Sequence, residues 1–408
     1  MDLMLEESID AARRRGERIL FEAIPEADEA SRKRFPDVAT EVTLNALVGL
    51  ADGYSGEDLP RLIMRTPRRL GGTQVPGNRG LHDNPDTFYR LIPLDGQSHF
   101  VLVGVAPANP ATIFELSALT AQWQTLANLT KTDLAIRPGS RFRILFRPAE
   151  AATDETRDEE RCDHRVELTR DAEMLLVRET LADWKQERPS ALTIENFVDR
   201  GGPRDVDDAP RIEAAAQRVE KWFKEAARLT LAPLAQVPNA FPKPVISGEH
   251  GKLVTMAYSI GHFWVRPGEA LVLEIDPGEA TYVGAPITNL WGTTNANLAR
   301  GASLNTKQAA LNADGSFTCV LSLEDPGVHN WLDPDGLERG FLFLRWAGLD
   351  PNRVPDRVPA LETRLVPIGG LRAMLPAETR WVDAAERAQI QAERERDHAL
   401  RFEEFLDE

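Results

Sequence analysis

Apolar residues recur along this chain with two different periods. Near the start, Met4, Ile9, Ala12, Ile19 and Leu20 stand at near-helical spacing, and a second apolar run from Val42 to Leu50 stops at Asp52-Gly53. Glu57 to Leu70 reads as a further short helix, so residues 1 to about 70 are expected to be helical. The next segment, Gly71 to Asp86 (GGTQVPGNRGLHDNPD), is a loop by its glycines, prolines and asparagines. From Phe88 the period shortens. Tyr89-Arg-Leu-Ile, Asp95-Gly96 and Phe100 to Val105 read as a hairpin. Arg141 to Phe146 alternates charged and apolar side chains, as a strand with one wet face does. Ala149 to Arg161 is acidic and aperiodic, an exposed loop. Ile212, Ala215, Val219, Trp222, Phe223, Ala226 and Leu229 then form one stripe of a helix over 209–231. Strand signals resume from about Lys252 to Val366, and Val382 to Glu408 is a polar helix for the surface or for a subunit contact.

The two β regions repeat one order of events. Gly96 precedes Phe100-Val-Leu-Val as Gly268 precedes Leu271-Val-Leu, and Ala111-Thr112 opens a strand as Ala280-Thr281 does. Gly139 leads into Phe142-Arg-Ile-Leu-Phe as Gly315 leads into Phe317-Thr-Cys-Val-Leu, and Met174 to Arg178 matches Phe341 to Arg345. The expected fold is therefore mainly β with α additions: two tandem jelly-roll-like β-sandwiches, an N-terminal helical segment, a linking helix and a C-terminal helix. The boundaries read 1–80, 81–205, 206–245, 246–372 and 373–408.

Composition narrows the function classes. The 408 residues are 42% hydrophobic and 27% charged, ordinary for a globular chain, and the net charge is −16. Such acidity argues against nucleic acid and anionic membranes as partners. Two cysteines, Cys162 and Cys319, give no disulfide framework and read as free thiols. The charged N-terminus lacks a signal-peptide core, and no apolar run is long enough to span a bilayer. A cytoplasmic protein that forms homo-oligomers and takes a small-molecule substrate is the expectation.

The second β region resembles a bacterial family known as domain of unknown function 1214. The resemblance rests on Tyr282, Asn289, Trp291, Ser303-Leu-Asn305, Gln308, Asp314-Gly315, Asp325-Pro-Gly327, Asn330-Trp-Leu-Asp333, Gly336, Gly340 and Arg345. Asn84-Pro-Asp86, Tyr89-Arg90, Val177-Arg-Glu179, Asp183-Trp184 and Leu192 to Glu195 look like the family's upstream part. The resemblance implies a β jelly-roll arrangement with helical additions and implies no agreed reaction. Tyr282 is followed by Val283, where the family often has tryptophan.

Standard catalytic motifs are absent: there is no Gly-x-Ser-x-Gly, His-Glu-x-x-His, Walker loop or Gly-x-Gly-x-x-Gly. The seven histidines show no ligand-pair spacing, so neither a metal nor a cofactor is expected. His262, on an aromatic strand, is a structural histidine or a general acid–base. Asn289, Trp291, Asn305 and Gln308 form an amide-rich group suited to polarising a carbonyl or to locking turns. In Asp325 to Asp333, His329 or Asp333 is the candidate proton carrier, with Asn330 beside them and Trp331 as an apolar wall. Arg345 needs a partner, either a carboxylate such as Asp333 or an anionic substrate. On the glycine-rich loop, Arg79, His82, Asp83, Asn84 and Asp86 line a site or shape a turn.

The catalytic candidates are thus His262, His329 and Asp333. The substrate-binding candidates are Tyr282, Asn289, Trp291, Asn305, Asn330, Trp331, Arg345 and His82. The expected activity is metal-independent acid–base chemistry of hydrolase or lyase type on a small, partly apolar, aromatic or anionic molecule. A non-catalytic ligand-binding or assembly protein is the alternative.

Overall fold

The computed structural model describes residues 7–51, 61–62, 68–70, 73–75, 77, 79–94, 98–120, 123–149, 161–195, 208–246, 253–353 and 355–402. Two helices come first, α1 (Glu7–Ala23) and α2 (Glu29–Ala51). Three short strands follow, β1 (Arg61–Leu62), β2 (Arg68–Leu70) and β3 (Thr73–Val75). The first sandwich continues with β4 (Thr87–Pro93), β5 (Phe100–Val105), β6 (Ile113–Leu119) and β7 (Thr125–Thr130). It closes with β8 (Arg141–Pro148), β9 (His164–Leu168), β10 (Met174–Thr180) and β11 (Ala191–Glu195). Helix α3 (Asp208–Leu234) leads to the second sandwich: β12 (Val245–Ile246), β13 (Met256–Trp264), β14 (Glu269–Asp276) and β15 (Tyr282–Thr288). Then come β16 (Ser303–Asn305), β17 (Phe317–Leu321), β18 (Trp331–Leu332), β19 (Arg339–Ala347) and β20 (Ala360–Pro367), followed by α4 (Leu371–Met374) and α5 (Ala384–Leu400).

The duplication is written in the hydrogen bonding. The first sandwich has sheets of order β1-β4-β10-β6-β7 and β11-β5-β8-β9. The second has β12-β13-β19-β15-β16 and β18-β17-β14-β20, the same two orders. Even the exceptional parallel pairing recurs, β8 with β9 and β17 with β18. Each half buries its own core, one around Phe100, Phe114, Phe142 and Phe146, the other around Phe263, Phe317, Leu342 and Trp346.

Burial explains which sheets lie inside. Leu175 to Thr180 of β10 and Gly340 to Ala347 of β19 are buried without a break, because both faces of the five-stranded sheets are covered. Strand β20 of an outer sheet is mostly exposed. The inner sheets meet through Ile113, Ala182, Met256, Tyr258, Tyr282 and Phe343, a second apolar layer between the halves. Burying each large side chain there contributes roughly 1.5–3 kcal/mol.

The helices pack onto the second sandwich and onto each other. Ile9, Ala12, Gly16 and Leu20 form the inward stripe of α1. Gly16 is where α3 crosses it, since a Cβ there would stand 2.2 Å from the Phe223 ring. Phe35, Val38 and Val42 of α2 join Phe223 against Trp291 and Phe341.

Three sequence expectations are corrected. Residues 57–70 form no helix at the described positions: Arg61–Leu62 pairs with β4, and Arg68–Leu70 with β3. Pro60 and Pro67 remove the backbone donors a helix there would need. The loop from Gly71 to Asp86 carries a short strand, β3, for the same pairing. Strands β4 and β5 are not a hairpin, because β4 lies in the inner sheet and β5 in the outer one. Most of the acidic stretch at 149–161 lies outside the described residues.

Candidate functional site

The sequence candidates fall into four places, the first being the face of the second sandwich that α1, α2 and α3 cover. His262 is 2% exposed, with Nδ1 donating to the Pro233 carbonyl at 2.8 Å, so it ties β13 to the end of α3. Asn289 and Trp291 belong to a turn beneath the N-terminal helices. Asn289 Oδ1 accepts from the Trp291 and Thr293 amides, and Trp291 Nε1 donates to the Ser31 carbonyl at 2.7 Å. Neither position joins His329, so the structure does not gather His262, Asn289 and Trp291 into one site with it.

The second place is the junction of the sandwiches, where His82, Tyr282, Asn305 and Arg345 converge on the glycine-rich loop. Asp86 is fully buried and accepts three hydrogen bonds: Tyr282 Oη at 2.6 Å, Asn305 Nδ2 at 2.8 Å and Trp184 Nε1 at 2.9 Å. Burial and the adjacent Asp86 hold the Tyr282 phenol well above its ordinary range, so it stays a donor. Asn84 Nδ2 donates to the same phenol oxygen at 3.0 Å. Arg345 lies over the Phe343 ring at 4.1 Å and donates to the His82 and Phe343 carbonyls. Its hydrogen-bond partners are thus carbonyls, not Asp333. Tyr282, Asn305, Asp86 and Arg345 thus make a latch, each bonded to another part of the chain.

Trp184, bonded to Asp86, leads from the latch to the third place, a cleft of about 260 Å³ between α5, the segment 182–185 and the second sandwich. Asp383 caps α5 by accepting from the Ala385 and Glu386 amides, with Glu386 reaching back to complete a capping box. Arg387, Arg394 and Arg401 follow at seven-residue spacing, which puts them on one helix face. All three are buried. Arg387 pairs with Asp325 at 2.8 Å and lies over Trp331. Arg394 donates to the Leu298 and Ser303 carbonyls and stacks on Trp184 at 4.8 Å. Arg401 stacks on Trp184 at 4.3 Å and donates through Nη1 to the Pro85 carbonyl, while its Nε and Nη2 find no partner. The polar C-terminal helix is therefore fastened by its arginines across both halves of its own chain.

His329 and Trp331 line this cleft with Trp184, Gln308, Arg387 and Arg394. Asn330 fixes the imidazole. Its Nδ2 donates to the Ala310 and Thr318 carbonyls, so its Oδ1 is the acceptor for His329 Nδ1–H at 3.1 Å. The imidazole is held in the tautomer with Nε2 unprotonated. Burial lowers the His329 pKa; Arg380, Arg387 and Arg394 add to that, while Asn330 opposes it. Gln308, on the same wall, has both amide ends buried without a hydrogen-bond partner.

Asp333 is the fourth place. It is 1% exposed, accepts from the Asp335 amide at 2.7 Å and pairs with Arg300 at 3.0 Å. Burial raises its carboxyl. It reaches the cleft only through Arg300, which lines the wall. Among the described residues no cluster of three or more His, Cys, Asp or Glu is placed to hold a metal ion.

Sequence reasoning missed Trp184, Arg387 and Arg394. The signal was present in the seven-residue spacing of the α5 arginines, which a polar helix with few apolar residues conceals.

The described geometry makes this chain a tandem β-sandwich protein with helical additions. No family model and no curated protein matches it. The fold is shared with a solved structure of an uncharacterized protein from Burkholderia cenocepacia, at 23% identity and TM-score 0.72, covering 90% of this chain and 97% of that one. A protein of Vibrio parahaemolyticus is also similar, at 12% identity and TM-score 0.41, over 69% of this chain and 90% of that one.

Proposed function

We propose that the protein binds a small, partly apolar organic molecule in the α5 cleft and acts on it by metal-independent acid–base chemistry, as a hydrolase or lyase, with His329 as proton carrier. The observation that carries this reading is the tautomer of His329 on the cleft wall. A neutral imidazole with Nε2 unprotonated is a base at neutral pH, and burial, with the surrounding arginines adding to it, keeps it so. Trp331 and Leu304 supply apolar surface, and the Gln308 amide supplies a donor and an acceptor for a carbonyl group.

The test uses p-nitrophenyl acetate and p-nitrophenyl benzoate as reporter substrates, with indole-labelled tryptophan NMR as the binding readout. Turnover by the wild type and its loss in His329→Gln, with the Trp184 and Trp331 resonances still shifted by substrate, supports the reading. Binding without turnover overturns the catalytic half and leaves a ligand-binding protein. If neither indole moves, the cleft is not the site.

A further inference from the structure

Strand β20 ends the outer sheet of the second sandwich, and its far edge pairs with no described strand. The hydrogen-bond phase along it is set just past its end, where the Ile368 amide donates to the Gly268 carbonyl at 2.9 Å. Opposed residues of an antiparallel pair alternate between bonded and non-bonded positions. Val366, Arg364, Glu362 and Ala360 therefore bond to β14, while the N–H and C=O groups of Leu361, Thr363 and Leu365 point to the open edge. Exposure agrees. Leu365 stands beside Leu271 on the core side of the sheet and is nevertheless 44% exposed, because no described strand lies beyond it.

The sequence of this edge is its own complement. Pro359-Ala-Leu-Glu-Thr-Arg-Leu-Val-Pro367 reads outward from Thr363 as proline, small apolar residue and leucine in both directions, with Glu362 on one side answered by Arg364 on the other. Two such strands paired antiparallel about a two-fold axis at Thr363 set Thr363 against Thr363 and Leu361 against Leu365, each pair exchanging both main-chain hydrogen bonds. Glu362 then faces the partner's Arg364 at the non-bonded positions, where side chains come closest. Within one chain Glu362 forms no ion pair among the described residues and lies opposite a like charge, Glu274, which Arg364 already serves. A slip of two residues either way would set Glu362 against Glu362 or Arg364 against Arg364, so the charges also fix the register. The prolines, with no N–H to give, confine the pairing to this stretch. The equivalent edge of the first sandwich lacks the pattern: β11 ends at Glu195, which Arg141 and Arg143 of β8 hold within the chain.

We infer that β20 pairs with β20 of a second copy of this chain, in an isologous two-fold dimer whose outer sheets run on as one. The charge order selects that occupant: an unrelated edge strand must bring an arginine and a glutamate in matching order, and a second copy always does. One strand pair is a small interface, so the dimer forms reversibly with concentration. No residue of β20 lines the α5 cleft, and the dimer is independent of what the cleft binds.

Sedimentation velocity of the full-length protein over a range of concentrations tests it, with amide exchange of the stretch 360–367 as a second readout. The wild type should pass from monomer to dimer as concentration rises, and exchange at Leu361, Thr363 and Leu365 should slow in step. Glu362→Arg and Arg364→Glu, each at an exposed position, set like charges against each other across the axis and should each weaken the dimer at least about tenfold. Mixed in equal amounts, the two variants are complementary and should dimerise again. The double variant Glu362→Arg/Arg364→Glu is complementary within one chain and decides the matter if a single variant does not fold: its dimerisation supports the pairing and its failure to dimerise overturns it. A wild type that stays monomeric, folded single variants that dimerise as the wild type does, or a mixture of them that stays monomeric overturns it equally.

Discussion

Asp86 of the first half accepts a 2.6 Å hydrogen bond from Tyr282 Oη of the second, and neither group is reached by solvent. Asp86 also takes the indole N–H of Trp184 and the amide of Asn305, so one carboxylate serves three donors from two halves of the chain. Removing Tyr282 Oη leaves two of them in place, and Tyr282→Phe should cost about 1–3 kcal/mol. Asp86→Ala takes the shared acceptor from all three; Asn305 Nδ2 keeps the Ala182 carbonyl and Tyr282 Oη has Asn84 Oδ1 in reach, but Trp184 Nε1 is left bare in a dry layer, and the change should cost several kcal/mol, more than Tyr282→Phe. Urea unfolding of the two variants measures both; equal losses would mean that the latch does not act through Asp86.

Gly284 stands where a Cβ would lie 2.1 Å from the Tyr282 hydroxyl. Gly284→Ala should therefore displace the phenol and cost about 1–3 kcal/mol. In the Tyr282→Phe background the clashing oxygen is gone, so the same change should cost clearly less. A double-mutant cycle reads the coupling; additive losses would place the strain elsewhere.

The junction also carries a titrating group. Glu115 on β6 is 1% exposed; its Oε1 accepts from Thr255 of the other half, and Oε2 has no partner. Arg178 sits opposite it on β10, with Tyr258 and Arg345 facing from the second sandwich and Asp133 beyond β7. Burial raises Glu115 to about 7, against the opposing pull of Thr255 and Arg178. The folded protein thus holds this proton at pH values where the unfolded chain has released it. Stability should be highest below about pH 4.5 as far as this group is concerned, fall by about 3 kcal/mol between there and pH 7, and then level off. Glu115→Gln should abolish that slope. Chemical unfolding from pH 5 to 8 would reject the assignment if the variant kept the wild-type slope.

The pH dependence of turnover gives an independent check on His329. Burial, with Arg380, Arg387 and Arg394 adding to it, lowers the imidazole pKa, so the basic form persists further into acid than in a free histidine. Turnover of p-nitrophenyl acetate should therefore stay level through neutral pH and fall only below about pH 6.5. An acid limb that persists in His329→Gln would assign the base to another group.

The architecture was legible because apolar periodicity is a property of single strands, and the two halves repeat it. Phe100 to Val103 against Leu271 to Glu274, and Met174 to Arg178 against Phe341 to Arg345, fall on equivalent strands of the two sandwiches. Pairing partners were not legible. Tyr89 to Ile92 and Phe100 to Val105 looked like a hairpin, because a local pattern cannot say that the intervening turn carries the chain to another sheet. The site was half legible. The string from His329 to Trp331 carried its own turn chemistry and lies on the cleft. His262 read the same way and lies away from the cleft, its Nδ1 bonded to the Pro233 carbonyl. The arginines of α5 were hidden because a solvated face and a buried cationic one have identical composition. Only contact with Trp184 and Trp331 distinguishes them.

Arg401 reaches back to the Pro85 carbonyl, and Phe402 packs on Phe88 with ring centroids 5.0 Å apart. On the ribosome these partners are made at opposite ends of the timetable. Phe88 packs on Ala111 and Leu181 within the first sandwich, and Trp184 on Leu298 and Ala302 once the second is made, but the faces that Phe402 and the α5 arginines cover stay open through the synthesis of both. The cleft is then assembled in one late step, when α5 leaves the exit tunnel and its arginines close over both tryptophans. A polypeptide stalled or cleaved before Ala384 would carry both sandwiches and expose the aromatic surfaces by which quality-control factors recognise unfinished chains.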